Sequence, residues 1–173
     1  MIHVADAQGL RPTPDAVREK LFNWLGQDLT GLRCLDLFAG TGALGLEAAS
    51  RGASHVTFVE QNRKVFRHLQ DEVKALGNPA SGVVLELCCA DAVEFVRDAA
   101  QNSAAAYDVV FLDPPYHQGW LQKVEPYLAS LLASDAWVYA EAEQSIEQLA
   151  GLRVIKSGKA GQVYYHVLAK PEA

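Results

Sequence analysis

A chain of 173 residues is long enough to bury a sizeable core as one domain, and no second domain is needed. Half of the residues are apolar, yet no run approaches the roughly 18 that a membrane-crossing helix requires, and the first ten residues lack a secretion-signal pattern, so a cytoplasmic protein is expected. The net charge of −6 argues against wrapping bare nucleic acid by charge alone, and Cys34, Cys88 and Cys89, with no CxxC among them, argue against a disulfide framework or a metal site.

Residues 11–25, RPTPDAVREKLFNWL, predict a helix: Thr13 can cap it, Pro14 suits the first turn, and Asp15 favours the helix dipole. Val17, Leu21, Trp24 and Leu25 share one face. Residues 33–60 then read as strand, glycine loop, helix, strand. Residues 34–38 are a short apolar run, Gly40 and Gly42 permit sharp turning and close approach to a ligand, residues 43–51 favour helix, and Gly52 stops it. The next β-rich run, residues 55–59, leads into Glu60, 18 residues after Gly42, about where a βαβ nucleotide site needs an acid for ribose hydroxyls.

Gly40, Gly42 and Gly45 also match the dinucleotide fingerprint, so two cofactor types compete for this loop. Asp36 separates them. A pyrophosphate seated on the helix N-terminus would be repelled by a carboxylate so near, whereas S-adenosylmethionine has no phosphate and carries an ammonium and a sulfonium.

Residues 62–76 place Val65, Phe66, Leu69, Val73 and Leu76 at helical spacing, closed by Gly77, Asn78 and Pro79. Residues 83–89 form a third strand that ends near Asp91, which can accept from an adenine amine or cap the helix of residues 92–100. A buried strand at 107–112 runs into Asp113-Pro114-Pro115-Tyr116. Residues 119–133 look helical, with Pro126 kinking or dividing them; 136–140 form a fifth strand and 145–149 a short helix. Residues 152–155 and 162–168 are β-rich and flank a turn signal at 157–161. Five β/α units followed by a hairpin give an α/β fold: a mostly parallel seven-stranded sheet, helices on both faces, and an antiparallel strand at its edge. Basic residues gather at Arg11, Arg18 and Lys20, at Arg51, Arg63, Lys64 and Arg67, and at Arg153, Lys156 and Lys159; these are solvated faces or an RNA footprint.

The tetrapeptide at 113–116 suits chemistry on a nucleobase amine. Such an amine is a poor nucleophile because its lone pair is delocalised into the ring. Asp113 and the Pro114 carbonyl can each accept one of its hydrogens, aligning it for attack on a methyl, and the two prolines stiffen that geometry. Tyr116 can stack on the base, an interaction worth roughly 1–3 kcal/mol. A base inside a helix cannot reach such a pocket, so it must be flipped out or single-stranded.

DLFAGTG at 36–42, Glu60, Asp91 and DPPY at 113–116 resemble the motifs of S-adenosylmethionine-dependent amino-methyltransferases. RPTPDAVREKLFNWL and KAGQVYY at 159–165 make the likeness more specific: the chain is similar to the RsmD family, which methylates a guanine N2 of bacterial small-subunit (16S) ribosomal RNA. The resemblance implies a Rossmann-like methyltransferase fold, with a leader at 1–10, a helical segment at 11–25 and a core from residue 33 to residue 173. It implies that Arg11, Thr13, Asp36, Phe38, Gly40, Gly42, Glu60 and Asp91 shape the cofactor pocket, while Asp113, Pro114 and Tyr116 handle the target. The expected enzyme is a monomer without metal that acts on ribosomal RNA within a small-subunit particle. Family members usually carry a longer basic leader before the RPT segment, whereas the ten residues here contain no Lys or Arg; either the chain is shortened, or a partner surface holds more of the substrate.

Three alternatives stand beside this reading: an adenine-N6 methyltransferase on DNA or RNA, a catalytically silent cofactor-binding scaffold, and an NAD-dependent dehydrogenase. The complete Asp-Pro-Pro-Tyr weighs against the scaffold, and the lack of a separate recognition domain against a DNA enzyme.

Overall fold

A computed structural model describes residues 15–77, 82–102 and 106–172. Helix α1 (Asp15–Leu25) precedes a parallel sheet of β1 (Arg33–Asp36), β2 (His55–Glu60), β3 (Val84–Cys89), β4 (Tyr107–Leu112) and β5 (Leu132–Ala142). The crossovers are α2 (Ala43–Ser50), α3 (Arg63–Ala75), α4 (Ala92–Gln101) and α5 (Trp120–Leu128). Then β6 (Gln148–Leu149), β7 (Leu152–Ala160) and β8 (Val163–Ala169) complete an eight-stranded sheet in the order β3-β2-β1-β4-β5-β8-β7-β6.

Alternation along the strands builds two cores. Cys34, Val109, Phe111, Tyr139 and Val167 meet α1, α2 and α3 through Val17, Leu21, Phe22, Leu44, Ala48 and Leu69. Their neighbours Leu35, Val110, Leu112, Val138 and Leu168 face α4 and α5 through Val96, Trp120, Val124 and Leu128. Helix α3 starts where the sequence predicts, because the Asn62 side chain accepts from the Val65 amide as an N-cap. Leu76, expected on the buried face, lies past the last turn and is 58 % exposed.

The second half of the molecule departs from expectation in five ways. The sheet has eight strands, not seven, and the helix expected at 145–149 is absent. Five residues are too few to nucleate a helix unaided, and here the backbone bonds elsewhere: the Ile146 amide donates to His166, Val154 donates to the Glu147 carbonyl, and Gln148–Leu149 pair with β7 as the eighth strand. The antiparallel strand is interior rather than at the edge, since β8 lies between β5 and β7. The turn signal at 157–161 is mostly strand, and β7 runs to Ala160. Gly158 is needed for packing there, because a Cβ at this position would stand 2.4 Å from the Tyr165 ring. Finally, the helix expected over 119–133 stops at Leu128 and tightens into a 3₁₀ turn, Ala129–Leu131, before β5; Pro126 is accommodated inside α5.

Candidate functional site

The loop after β1 is held by its own acids. Asp36, 1 % exposed, accepts from the Gly45 amide at 3.0 Å through Oδ2. Glu60, at the end of β2, accepts from the Gly40 amide at 2.9 Å through Oε1 and from the Asn62 amide at 2.8 Å through Oε2. The Gly42 amide turns back to the Ala39 carbonyl at 2.7 Å, and Gly42 itself takes φ 81°, a left-handed conformation that favours glycine. Gly45 is a packing residue: a Cβ there would lie 2.3 Å from the Phe58 ring.

These bonds decide what the loop can hold. A pyrophosphate would need the amides of the loop and of the first turn of α2, yet those of Gly40 and Gly45 are already given to carboxylates. Burial pushes the Asp36 carboxyl up to about 7, opposed by the Gly45 amide and assisted by the nearby charges of Asp113 and Glu60. Negative potential from three acids thus converges at the carboxyl edge of the sheet. Such a pocket fits a cationic nucleoside without phosphate: a carboxylate at Asp36 can answer a positive charge, and each Glu60 oxygen, with one amide bond made, has capacity for a ribose hydroxyl.

Asp91 caps α4, accepting from the amides of Val93 at 2.8 Å and Glu94 at 3.1 Å, both at Oδ1. The cap is therefore a realised role for this residue. Phe38 is half-buried and meets Trp120 edge-on, with ring centroids 5.7 Å apart, so it joins the β1 loop to the start of α5. Arg11 and Thr13 lie outside the described residues.

On β4, Phe111 is level with Asp36, which sets Asp113 two residues further toward the same sheet edge. Pro114 is buried, while Asp113, Pro115 and Tyr116 are half-buried. His117 takes φ 63° and is tied to Glu143 twice, through its amide and through Nδ1 at 2.9 Å. Between this loop and the segment after β5 opens a cleft of about 260 Å³, lined among others by Pro114, Tyr116, Trp120, Glu141 and Ile146. The structure brings Asp36, Gly40, Gly42, Glu60 and Asp113 to one sheet edge, as the sequence predicts.

A family described as Conserved hypothetical protein 95 matches residues 1–169. The chain belongs to this family. It is 39 % identical over 142 residues to "Ribosomal RNA small subunit methyltransferase D" of Escherichia coli (strain K12), covering 81 % of this chain and 68 % of that protein. It is 38 % identical over 143 residues to the protein of the same name from Haemophilus influenzae, covering 82 % of this chain and 72 % of the relative. The solved structure of yhhF from Escherichia coli superposes with a TM-score of 0.80 at 33 % identity, over 98 % of this chain and 90 % of that one.

Within this Conserved hypothetical protein 95 member, the sequence reading passed over Glu141 and His166. Glu141 is 3 % exposed and lines the cleft; the pairing of Leu112 with Ala140 sets it one residue on, beside Asp113 on the neighbouring strand. Burial, then the charges of Glu141 and Asp113, push the Tyr139 phenol far above its ordinary range, so it stays a hydroxyl. His166 is fully buried: its Nδ1 lies 3.0 Å from the Ala140 carbonyl, and its Nε2 accepts from the Ile146 amide at 3.2 Å. That pair of bonds requires the proton on Nδ1. Burial lowers its pKa, and the Ala140 bond offsets part of this. The only sequence signal for Glu141 was an acid just past an apolar run, at 140–143 (AEAE).

Proposed function

We propose that this chain is an S-adenosylmethionine-dependent methyltransferase acting on the exocyclic N2 amine of a guanine in small-subunit ribosomal RNA. The observation that carries the reading is the arrangement at the sheet edge: an acid-lined glycine loop whose amides are already engaged stands next to the Asp-Pro-Pro-Tyr segment. The names of the relatives at 38 and 39 % identity agree with the substrate class.

The cofactor supplies an electrophilic methyl whose bond to sulfur breaks as the new bond to nitrogen forms. Asp36 and Glu60 hold the cofactor's cationic and ribose ends, with Phe38, Gly40 and Gly42 shaping the wall. Asp91 contributes from the β3 edge while capping α4, and Arg11 and Thr13 are the further cofactor-binding candidates that the family resemblance names. Asp113 and the Pro114 carbonyl take the two hydrogens of the amine, turning its lone pair toward the methyl. As the nitrogen becomes positively charged, Asp113 accepts the proton it must shed. Tyr116 stacks on the base, which has to leave its helix to enter.

The test is to incubate the protein with radiolabelled S-adenosylmethionine and, separately, small-subunit particles, free ribosomal RNA, DNA and total protein, then to digest and identify the labelled nucleoside. N2-methylguanosine from small-subunit RNA is expected. Label on adenine N6, or protection of the protein by NAD in place of S-adenosylmethionine, would overturn the reading.

A further inference from the structure

A buried carboxylate that serves only packing is costly, because an ion stripped of water must be compensated. Glu141 is a buried carboxylate with the Tyr139 phenol beside it. It stands at the carboxyl end of β5, 3 % exposed, on a surface of the target cleft, and it is not among the residues that the sequence motifs assign to cofactor or catalysis. Its neighbours fix it from three sides. Asp113 follows the end of β4, one residue past the Leu112–Ala140 pair, as Glu141 is one residue past it on β5. Tyr165 is its partner on β8, and Tyr139 precedes it on the same face of β5. The Ile146 segment opposite is held by His166, which also binds the carbonyl of the preceding residue, Ala140.

Adjacent strands lie about 4.8 Å apart, and Glu is one methylene longer than Asp, so two acceptor groups of different reach stand side by side. The Watson–Crick edge of guanine offers a matching pair of donors, the ring N1–H and the N2 amine. Adenine differs: its amine is flanked by N1 with a lone pair, which would meet an anionic oxygen. We infer that Glu141 is the specificity-determining residue of the target pocket, accepting the N1–H of the extruded guanine while Asp113 accepts from its amine. Tyr139, kept as a hydroxyl by its burial and by the neighbouring acids, is available to brace the Glu141 carboxylate from below. The inference rests on the guanine-N2 reading above and names the group that selects the base.

The experiment uses the RNA segment around the nucleotide methylated in the preceding assay, carrying at that position either guanine or 2-aminopurine. 2-Aminopurine keeps the amine but has an N1 lone pair in place of N1–H. The wild-type protein should methylate guanine with kcat/KM roughly 10- to 100-fold above 2-aminopurine. Glu141→Gln, whose amide can donate to N1, should slow guanine methylation and compress that ratio to within a few-fold. Because both bases are compared on both proteins, the loss of O6 in 2-aminopurine cancels from the change in ratio. Unaltered S-adenosylmethionine affinity in the variant would show that the pocket is intact. An unchanged ratio in Glu141→Gln overturns the inference, as does a wild type that methylates both bases equally, a result that stands even if the variant fails to fold. Failure of the guanine-N2 reading is distinguishable, since the wild type would then give no N2-methylguanosine at all.

Discussion

Asp36 is the residue whose environment makes the sharpest claim. With its folded pKa near 7 and its ordinary value at 3.8, the folded state keeps a proton that the unfolded chain has released across that interval. The associated stability is therefore fully present below the ordinary value and is lost as pH rises toward 7. A cation in the pocket favours the ionised form. S-adenosylmethionine should thus bind more tightly as pH rises from about 6 to about 7, releasing a proton, and Asp36→Asn should abolish both effects. Calorimetry in buffers of differing ionisation enthalpy reads this directly; equal apparent enthalpies across buffers would remove Asp36 from the linkage. Asp113 and Tyr116 should behave differently, since both follow β4 and not the cofactor loop. Asp113→Ala should cut single-turnover methylation by about two to three orders of magnitude, comparable with losing an oxyanion-hole donor, while cofactor affinity changes far less than the rate. Tyr116→Phe keeps the ring and should be mild, whereas Tyr116→Ala should also raise the Michaelis constant for RNA. An Asp113→Ala protein that methylates near the wild-type rate contradicts this assignment of the catalytic loop.

Among the elements, α2 and the segment between β5 and β6 each rest on a contact that one substitution can test. Gly45→Ala places a methyl against the fully buried Phe58 ring, so the variant should lose roughly 1–3 kcal/mol of stability by overpacking. Chemical denaturation at fixed pH checks it, and recovery in a Gly45→Ala, Phe58→Leu double variant would identify the ring as the cause. His166 is held neutral, with a folded pKa below its ordinary 6.5. Its stability contribution is present above that value and is lost as pH falls below it, because only the unfolded chain then takes up the proton. Asp36 acts in the opposite direction over part of this range, so the useful reading is the difference between variant and parent. His166→Gln should be destabilised at neutral pH by roughly 1–3 kcal/mol through lost buried hydrogen bonds, with a smaller gap at about pH 5. A gap that does not narrow on acidification would mean His166 is not held neutral. Local sequence made the glycine loop, the five parallel strands and the Asp-Pro-Pro-Tyr turn legible, since each is written in a contiguous apolar run with its own terminator. It could not reveal that Gly158 is a seat for Tyr165, or that Glu141 stands beside Asp113, because both depend on the register between distant strands. The helix expected at 145–149 failed for the same reason: its amide partner, His166, comes from another strand.

Taken as a whole, the molecule carries a net charge of −6 and gathers acids at the sheet edge where RNA would have to arrive. Among the described residues, the exposed Arg63, Lys64 and Arg67 lie at the start of α3, soon after the β2 acid. So few cations give weak hold on a bare backbone. Assembled small-subunit particles, which add protein contacts, should be methylated faster than free ribosomal RNA at the same physiological salt; equal rates would contradict this. The placement of β8 carries a further consequence, one of timing. Residues 163–169 leave the ribosome after every strand they separate, yet they supply Tyr165 beside Glu141 and the imidazole that anchors Ile146. The cofactor half of the sheet can be assembled while the chain is still being translated, but the wall facing the target base is finished only when the latest of the eight strands slides between two earlier ones.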